Sequence, residues 1–124
     1  MSFQSDAVDW CGTTHAAGAR VSVGARPQST ALPAVVLEIS SGVDATIGGE
    51  VQLWTVAISA IANTMEDARS LCADVSGDFA TNARADGHEV VIDVHPVIQQ
   101  PVIGEGDEAE PAICILNATV YYEV

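Results

Sequence analysis

The chain has 124 residues, and 17 aspartates and glutamates outnumber 4 arginines, which gives a formal net charge of −13 at pH 7. Hydrophobic residues make up 48% of the sequence and charged residues 17%, a composition too apolar for intrinsic disorder, so we expect a single folded domain over residues 1–124. Because its only cationic residues are four arginines and it contains no lysine, one copy of the chain cannot form the basic surface that tight nucleic-acid binding requires.

The first half of the chain contains one helical segment and three strand-like segments. A helix is predicted over about residues 4–15, where Phe3, Ala7, Trp10 and Thr14 would share one face. Recurring β-branched residues between turn formers then predict strands at about residues 20–24, 34–41 and 50–60.

The most strongly marked helix is predicted over about residues 64–79. Thr64 can cap its N-terminus, and Glu66 and Asp67 place negative charge in its first turn, where the helix dipole favours it. Its apolar residues recur at helical spacing and are Met65, Ala68, Leu71, Cys72, Val75 and Phe79. This pattern predicts an amphipathic helix that packs on a sheet.

Two further strands are predicted at about residues 88–96 and 112–124. The first ends at Pro96, which cannot donate a hydrogen bond to a neighbouring strand, and the second alternates apolar and polar residues over its whole length. Between them lies an acidic segment, residues 104–110, which we expect to be a solvated loop. The order of elements predicts an α+β fold, with a mostly antiparallel β-sheet of four to five strands and one or two helices packed on one face.

The three cysteines, Cys11, Cys72 and Cys114, lie far apart in the sequence and form no CxxC motif. They predict neither a zinc site nor a disulfide framework, and each thiol is expected to act as a small buried apolar group. The N-terminal residues lack the basic region and apolar run of a signal peptide, and no stretch approaches the ~18 apolar residues of a membrane span. We therefore expect synthesis in the cytoplasm and no contact with a membrane.

Two pairs of residues have a spacing that catalysis can use. Cys11 and His15 would share a helical face, and Asp93 and His95 would share a strand face. Neither pair is accompanied in sequence by the further groups that a metal site or a nucleophilic site needs, and no phosphate-binding or hydrolase motif occurs. We therefore predict no catalytic, cofactor-binding or metal-binding residues and no enzymatic activity.

Aromatic and acidic residues are the better candidates for a functional surface. Alternation along the strands places Trp54 opposite Leu53 and Tyr121 opposite Tyr122, so apolar groups would occupy both faces of the sheet. Trp54, Tyr121 and Tyr122 are therefore candidate contacts with other subunits, with core packing as the alternative. The candidate acidic residues of a channel lining or rim are Glu105, Asp107, Glu108 and Glu110.

Three sequence features carry a resemblance to a known family. They are the proline-bounded opening of a strand at 31–37, the passage from the strand at 51–56 into the helix at 65–71, and the closing strand at 120–124. Over roughly residues 20–124 this order resembles the small tail terminator and tail completion proteins of long-tailed bacteriophages.

The resemblance implies a virion structural protein of the tail or neck, made in the cytoplasm of the bacterial host. Such a protein would form a homo-oligomeric ring, commonly a hexamer, at the head-proximal end of the tail. The ring would cap the tail tube protein and join it to the connector of the head, while DNA passes through without specific binding. No catalytic residues come with this resemblance.

Two other functions remain open from the sequence. A small cytosolic α+β binding module or complex subunit would have a concave ligand pocket and form no ring. A small hydrolase or isomerase would bring Cys11 and His15, or Asp93 and His95, within hydrogen-bonding distance in a pocket.

Overall fold

The computed structural model describes residues 3–12, 20–24, 33–40, 43–44, 48, 50–93, 96–99 and 111–123. Its helices and strands, in chain order, are α1 (Phe3–Trp10), β1 (Arg20–Val23), β2 (Ala34–Ile39), β3 (Val43–Asp44), β4 (Val51–Ala62), α2 (Met65–Ala85), β5 (Glu89–Ile92), β6 (Val97–Gln99) and β7 (Ala112–Glu123).

The strands form one seven-stranded sheet in the order β1-β2-β4-β7-β5, with β3 paired to β4 and β6 paired to β7. Strands β1 and β2 are parallel, and the other pairings are antiparallel. The predicted α+β class and mostly antiparallel sheet are confirmed. The strand count exceeds the predicted four to five, because β3 is an additional short strand and because β6 is a separate strand after Pro96.

Helix α2 begins and ends with well-defined caps. The side chain of Thr64 accepts a hydrogen bond from the Asp67 N–H at 3.1 Å, as the sequence predicts. At the other end Gly87 has φ +93°, and the His88 N–H donates to the Ala83 carbonyl at 3.0 Å, the pattern of a Schellman motif. The helix therefore continues to Ala85, six residues beyond the predicted end at about residue 79.

Helix α1 is shorter than predicted. It ends at Trp10, and Gly12 adopts φ +73°, a left-handed conformation that a helix cannot continue through. Phe3, Ala7 and Trp10 are its buried residues, so the predicted apolar face is correct over the helix that forms. Within the described part of the chain, neither helix is long and apolar enough to cross a membrane.

Strands β4 and β7 form the centre of the sheet and pair along twelve residues each, from Val51 opposite Glu123 to Ala62 opposite Ala112. Alternate side chains point to opposite sides. We call the side that contacts α1 and α2 the helix face; Val56, Ile58 and Ala60 lie on it and are fully buried. We call the other side the outer face.

Candidate functional site

Trp54 and Tyr122, two of the three predicted contact residues, lie on the helix face under α1. The ring of Phe3 stacks on Trp54 with the centroids 4.4 Å apart and forms a T-shaped contact with Tyr122 at a centroid distance of 5.2 Å. The Tyr122 hydroxyl also donates a hydrogen bond of 2.6 Å to Oδ2 of Asp6. Both aromatic side chains are half-buried by these contacts, so within this chain they attach α1 to the sheet.

The other end of α1 is attached to α2 by polar groups. The Trp10 indole N–H donates to Oδ2 of Asp86 at 2.7 Å, and the side-chain amide of Asn82 donates to the Trp10 carbonyl at 2.9 Å. The Trp10 ring also meets Phe79 edge to face at 5.5 Å. These contacts anchor the C-terminal end of the helix, whose last carbonyls have no partner within the helix.

A hydrogen bond to a carboxylate sets the protonation of Tyr122. The bond to Asp6, together with burial and the charges of Asp6 and Asp86, raises the pKa of Tyr122 to about 12. The His88 ring stacks on Tyr122 at 4.6 Å, and its Nδ1 accepts a hydrogen bond from the Glu123 N–H at 3.1 Å. Neutral His88 therefore carries its proton on Nε2.

Tyr121, the third predicted contact residue, lies on the outer face. Its exposed fraction is 39%, and two other large apolar side chains on this face, Val91 and Val97, are 58% and 54% exposed. The register places Tyr121 opposite both Leu53 and Glu89 on the neighbouring strands. Half-buried apolar residues continue this surface along β4 and β7; they are Leu53, Ala57, Ile113 and Ile115.

The edge of this apolar surface is acidic. Glu38, Glu89 and Glu123 occupy outer-face positions on three different strands, and all three are exposed. The combination of an apolar centre and a charged edge is typical of surfaces that contact other proteins. The predicted acidic residues Glu105, Asp107, Glu108 and Glu110 lie outside the described residues.

Two concave surfaces flank α2. A cavity of about 230 Å³ lies between the start of the helix and the end of β4, lined by Pro33, Asn63, Asp67 and Leu71, among others. A shallower groove of about 480 Å³ runs beside the helix, and its lining includes Ala73, Gly77, Ile92, Pro96 and Leu116. Within the part of the chain that the structure describes, no group of three His, Cys, Asp or Glu side chains could hold a metal ion.

The structure describes one residue of each pair with catalytic spacing, namely Cys11 and Asp93. Their partners His15 and His95 lie outside the described residues. The Cys11 thiol is fully buried and donates to the Ala7 carbonyl at 3.4 Å. Burial, and to a lesser extent the charge of Asp78, raises the pKa of Cys11 to about 12, which keeps this thiol protonated and weakly nucleophilic near neutral pH. Asp93 is exposed, and its N–H donates to the Asn117 carbonyl at 2.9 Å.

The attachment of α1 was not predicted from the sequence. Asp6 and Tyr122 are 116 residues apart, and Trp10 and Asp86 are 76 apart. The sequence shows that Phe3, Ala7 and Trp10 share one face of α1. This pattern indicates that the helix packs on the rest of the protein, but it does not identify the residues that it contacts.

The sequence matches no protein-family model, and no curated protein is significantly similar to it.

Proposed function

We propose that this chain is a non-enzymatic virion structural protein of a long-tailed bacteriophage, a subunit of the tail terminator or tail completion ring. The observation that carries the proposal is the outer face of the sheet, where Tyr121, Val91 and Val97 are exposed beside half-buried apolar residues. A sheet with an apolar outer face is stabilised when a neighbouring subunit covers that face. The order of elements resembles this family, and on that basis we take the neighbouring subunit to be a second copy of this chain.

In this function the ring caps the tail tube at its head-proximal end and contacts the connector of the head. DNA passes through the ring, and a chain of net charge −13 without lysine repels phosphates and so lets DNA move without being held. The same charge opposes assembly, because every added subunit brings 17 acidic residues toward those of its neighbours.

The test is native mass spectrometry of the purified chain over a series of sodium chloride and magnesium chloride concentrations, with negative-stain images of large species. We expect a closed ring near six copies whose population rises with salt, since screening weakens the repulsion between subunits. A monomer at every concentration would contradict self-assembly of the isolated chain and favour the binding module.

The acidic segment provides a sharper version of this test. Replacing Glu105, Asp107, Glu108 and Glu110 with Gln or Asn should lower the salt concentration at the assembly midpoint, because four negative charges leave each copy. The matched control removes the same number of charges from exposed acids of the described part, namely Asp9, Glu50, Glu66 and Asp74. An equal shift in both variants would mean that net charge alone acts and that the segment does not face another copy.

The alternative function is a small cytosolic binding module or complex subunit. The groove of about 480 Å³ beside α2 is the observation that favours it, because it is concave and largely lined by apolar and small residues. Replacing Gly77 with Leu would fill this groove. If the chain is a binding module, the Gly77→Leu variant loses ligand binding. If the chain is a ring subunit that does not use the groove, the variant assembles normally.

A further inference from the structure

The groove beside α2 lies on the opposite side of the sheet from the apolar outer face. Its lining includes Ile92 and Leu116, which occupy helix-face positions of β5 and β7 and are half-buried. One wall is the side of α2 that carries Ala73, Gly77 and Ala80. A methyl group added at Gly77 would have no atom within 4 Å apart from the neighbouring helix backbone, so the groove is open at this point.

Arginines mark both ends of the α2 wall. Arg84 belongs to the groove lining, and its Nη2 donates to the Val90 carbonyl at 2.9 Å, which holds the guanidinium beside β5. Arg69 is exposed and lies one turn before Ala73 on the same side of the helix, about 22 Å from Arg84 along the helix axis. The acidic residue of the lining is Asp93. Two of the four arginines in a chain of net charge −13 therefore lie along this one side of α2.

The outer face around Tyr121 has the opposite charge. On β4, β5, β6 and β7 the charged residues at outer-face positions are Glu89 and Glu123, and both are exposed. Glu89 pairs with Tyr121 across the strands, and Glu123 is two residues further along β7, so both acids lie beside the tyrosine. Packing the outer faces of two copies against each other would bring these like charges together, which opposes association.

We propose that the outer face of one copy docks into the α2 groove of the next copy, with Tyr121 beside Gly77 and with Glu89 and Glu123 near Arg84. This inference rests on the proposed function, since it takes the occupant of the groove to be a second copy of this chain. The contact covers apolar side chains on both surfaces and places the acids against an arginine. The groove volume of about 480 Å³ lies within the range of pockets that enclose small molecules, so one aromatic ring has room to enter.

A contact between two different surfaces explains how a ring can form. When two copies have joined, one still has a free groove and the other still has a free outer face. Further copies therefore add until the two ends meet and the ring closes. A contact between two identical surfaces would stop at a dimer.

Two variants that each lose one surface test the proposal. Tyr121→Ala removes the side chain that enters the groove, and Gly77→Leu fills the groove; leucine favours a helix more than glycine does, so the second variant should fold. Each variant alone should need at least about a tenfold higher concentration to assemble. Thr81→Leu is the matched control, because it adds the same side chain at an exposed position of α2 outside the groove lining, and it should assemble as the wild type does.

An equal mixture of Tyr121→Ala and Gly77→Leu should form a dimer that contains one copy of each. The intact outer face of the Gly77→Leu copy docks into the intact groove of the Tyr121→Ala copy, and the dimer cannot grow because its two remaining surfaces are altered. The variants differ in mass, so native mass spectrometry at a concentration where the wild type assembles identifies this dimer.

Charge reversal tests which side chains meet. Arg84→Glu and Glu123→Arg should each weaken assembly, and the double variant should recover at least about tenfold of the loss, because opposite charges face each other again. Additive losses in the double variant would overturn the pairing of Arg84 with the acids of the next copy.

The outcomes separate the contact from the ring. Closed rings of Gly77→Leu alone, or an equal mixture without the mixed dimer, would overturn the inference and leave the ring function standing. A mixed dimer together with open chains of the wild type would support the contact and overturn the ring. A wild type that stays monomeric at every concentration, with no mixed dimer, would overturn both.

Discussion

The two faces of the sheet are built from the same strands but have different environments. On the helix face Val56, Ile58 and Ala60 of β4 are fully buried under α2. On the outer face the intervening residues Ala57 and Ser59 are half-buried. Among the outer-face residues that the structure describes, the buried ones are Ala34, Val36 and Ile61, which lie toward one end of the sheet. Most of the buried apolar side chains of the described strands therefore lie on the helix face, whereas the outer face leaves several apolar side chains half-buried or exposed.

The largest expected change in the free energy of unfolding distinguishes two adjacent valines of β5. Val90 points to the helix face and is 3% exposed, whereas Val91 points to the outer face and is 58% exposed. Val90→Ala should lower the free energy of unfolding by about 2 kcal/mol, because it removes buried methyl groups and leaves a cavity. Val91→Ala, its matched control, should change it by less than about 0.5 kcal/mol. Urea unfolding of both variants measures the difference, and equal losses would show that the outer face is also packed within one chain.

A smaller effect concerns the attachment of α1. Tyr122→Phe removes the hydroxyl that donates to Asp6 and should cost about 1 kcal/mol at neutral pH. The fold raises the pKa of Tyr122 from 10.0 to about 12, so the protonated hydroxyl stabilises the fold below pH 10 and this contribution is lost as the pH rises toward 12.

The difference in unfolding free energy between wild type and Tyr122→Phe should therefore shrink between about pH 10 and pH 12. The thiols of Cys11 and Cys72 also lose stabilising protonation in this range, but they are common to both proteins and cancel in the difference. Unfolding curves of both proteins measured at several pH values give this difference. A difference that stays constant to pH 12 would mean that the hydrogen bond to Asp6 does not raise the pKa of Tyr122.

The smallest effect on stability is expected at Tyr121. Tyr121→Ala should leave the unfolding free energy within about 0.5 kcal/mol of wild type, because the side chain is exposed on the outer face. Ring assembly should nevertheless weaken at least about tenfold in midpoint concentration if this residue anchors a neighbouring subunit. Thr81→Ala, an exposed position on α2, is the control. Unchanged assembly by Tyr121→Ala would remove this residue from the contact.

Local patterns in the sequence predict the elements better than they predict how the elements meet. The Thr64 cap and the apolar spacing from Ala68 to Phe79 predict α2 because capping and helical periodicity are local. Its last turns were missed, because Ala80 and Ala83 continue the buried stripe with side chains too small to mark it. The α+β class follows from the order of such elements.

Contacts between distant segments could not be predicted in the same way. The sequence predicts Trp54 and Tyr122 as candidate contacts with other subunits, but their ring contacts with Phe3 depend on where α1 lies. The same ring contacts also require the register of β4 against β7, which puts Trp54 and Tyr122 on one face and is a property of the assembled sheet.

The central position of β7 has a consequence for synthesis. Strands β4, β5 and β6 all pair with β7, which follows each of them in the chain, so none can complete its hydrogen bonds until β7 has left the ribosome. Until then β4 presents a long apolar edge that can pair with another nascent chain. The sheet can therefore form only after residues 112–123 have left the ribosome, and it forms through contacts between distant segments. If these residues are released slowly, the unpaired edge of β4 stays accessible for longer to other nascent chains and to chaperones.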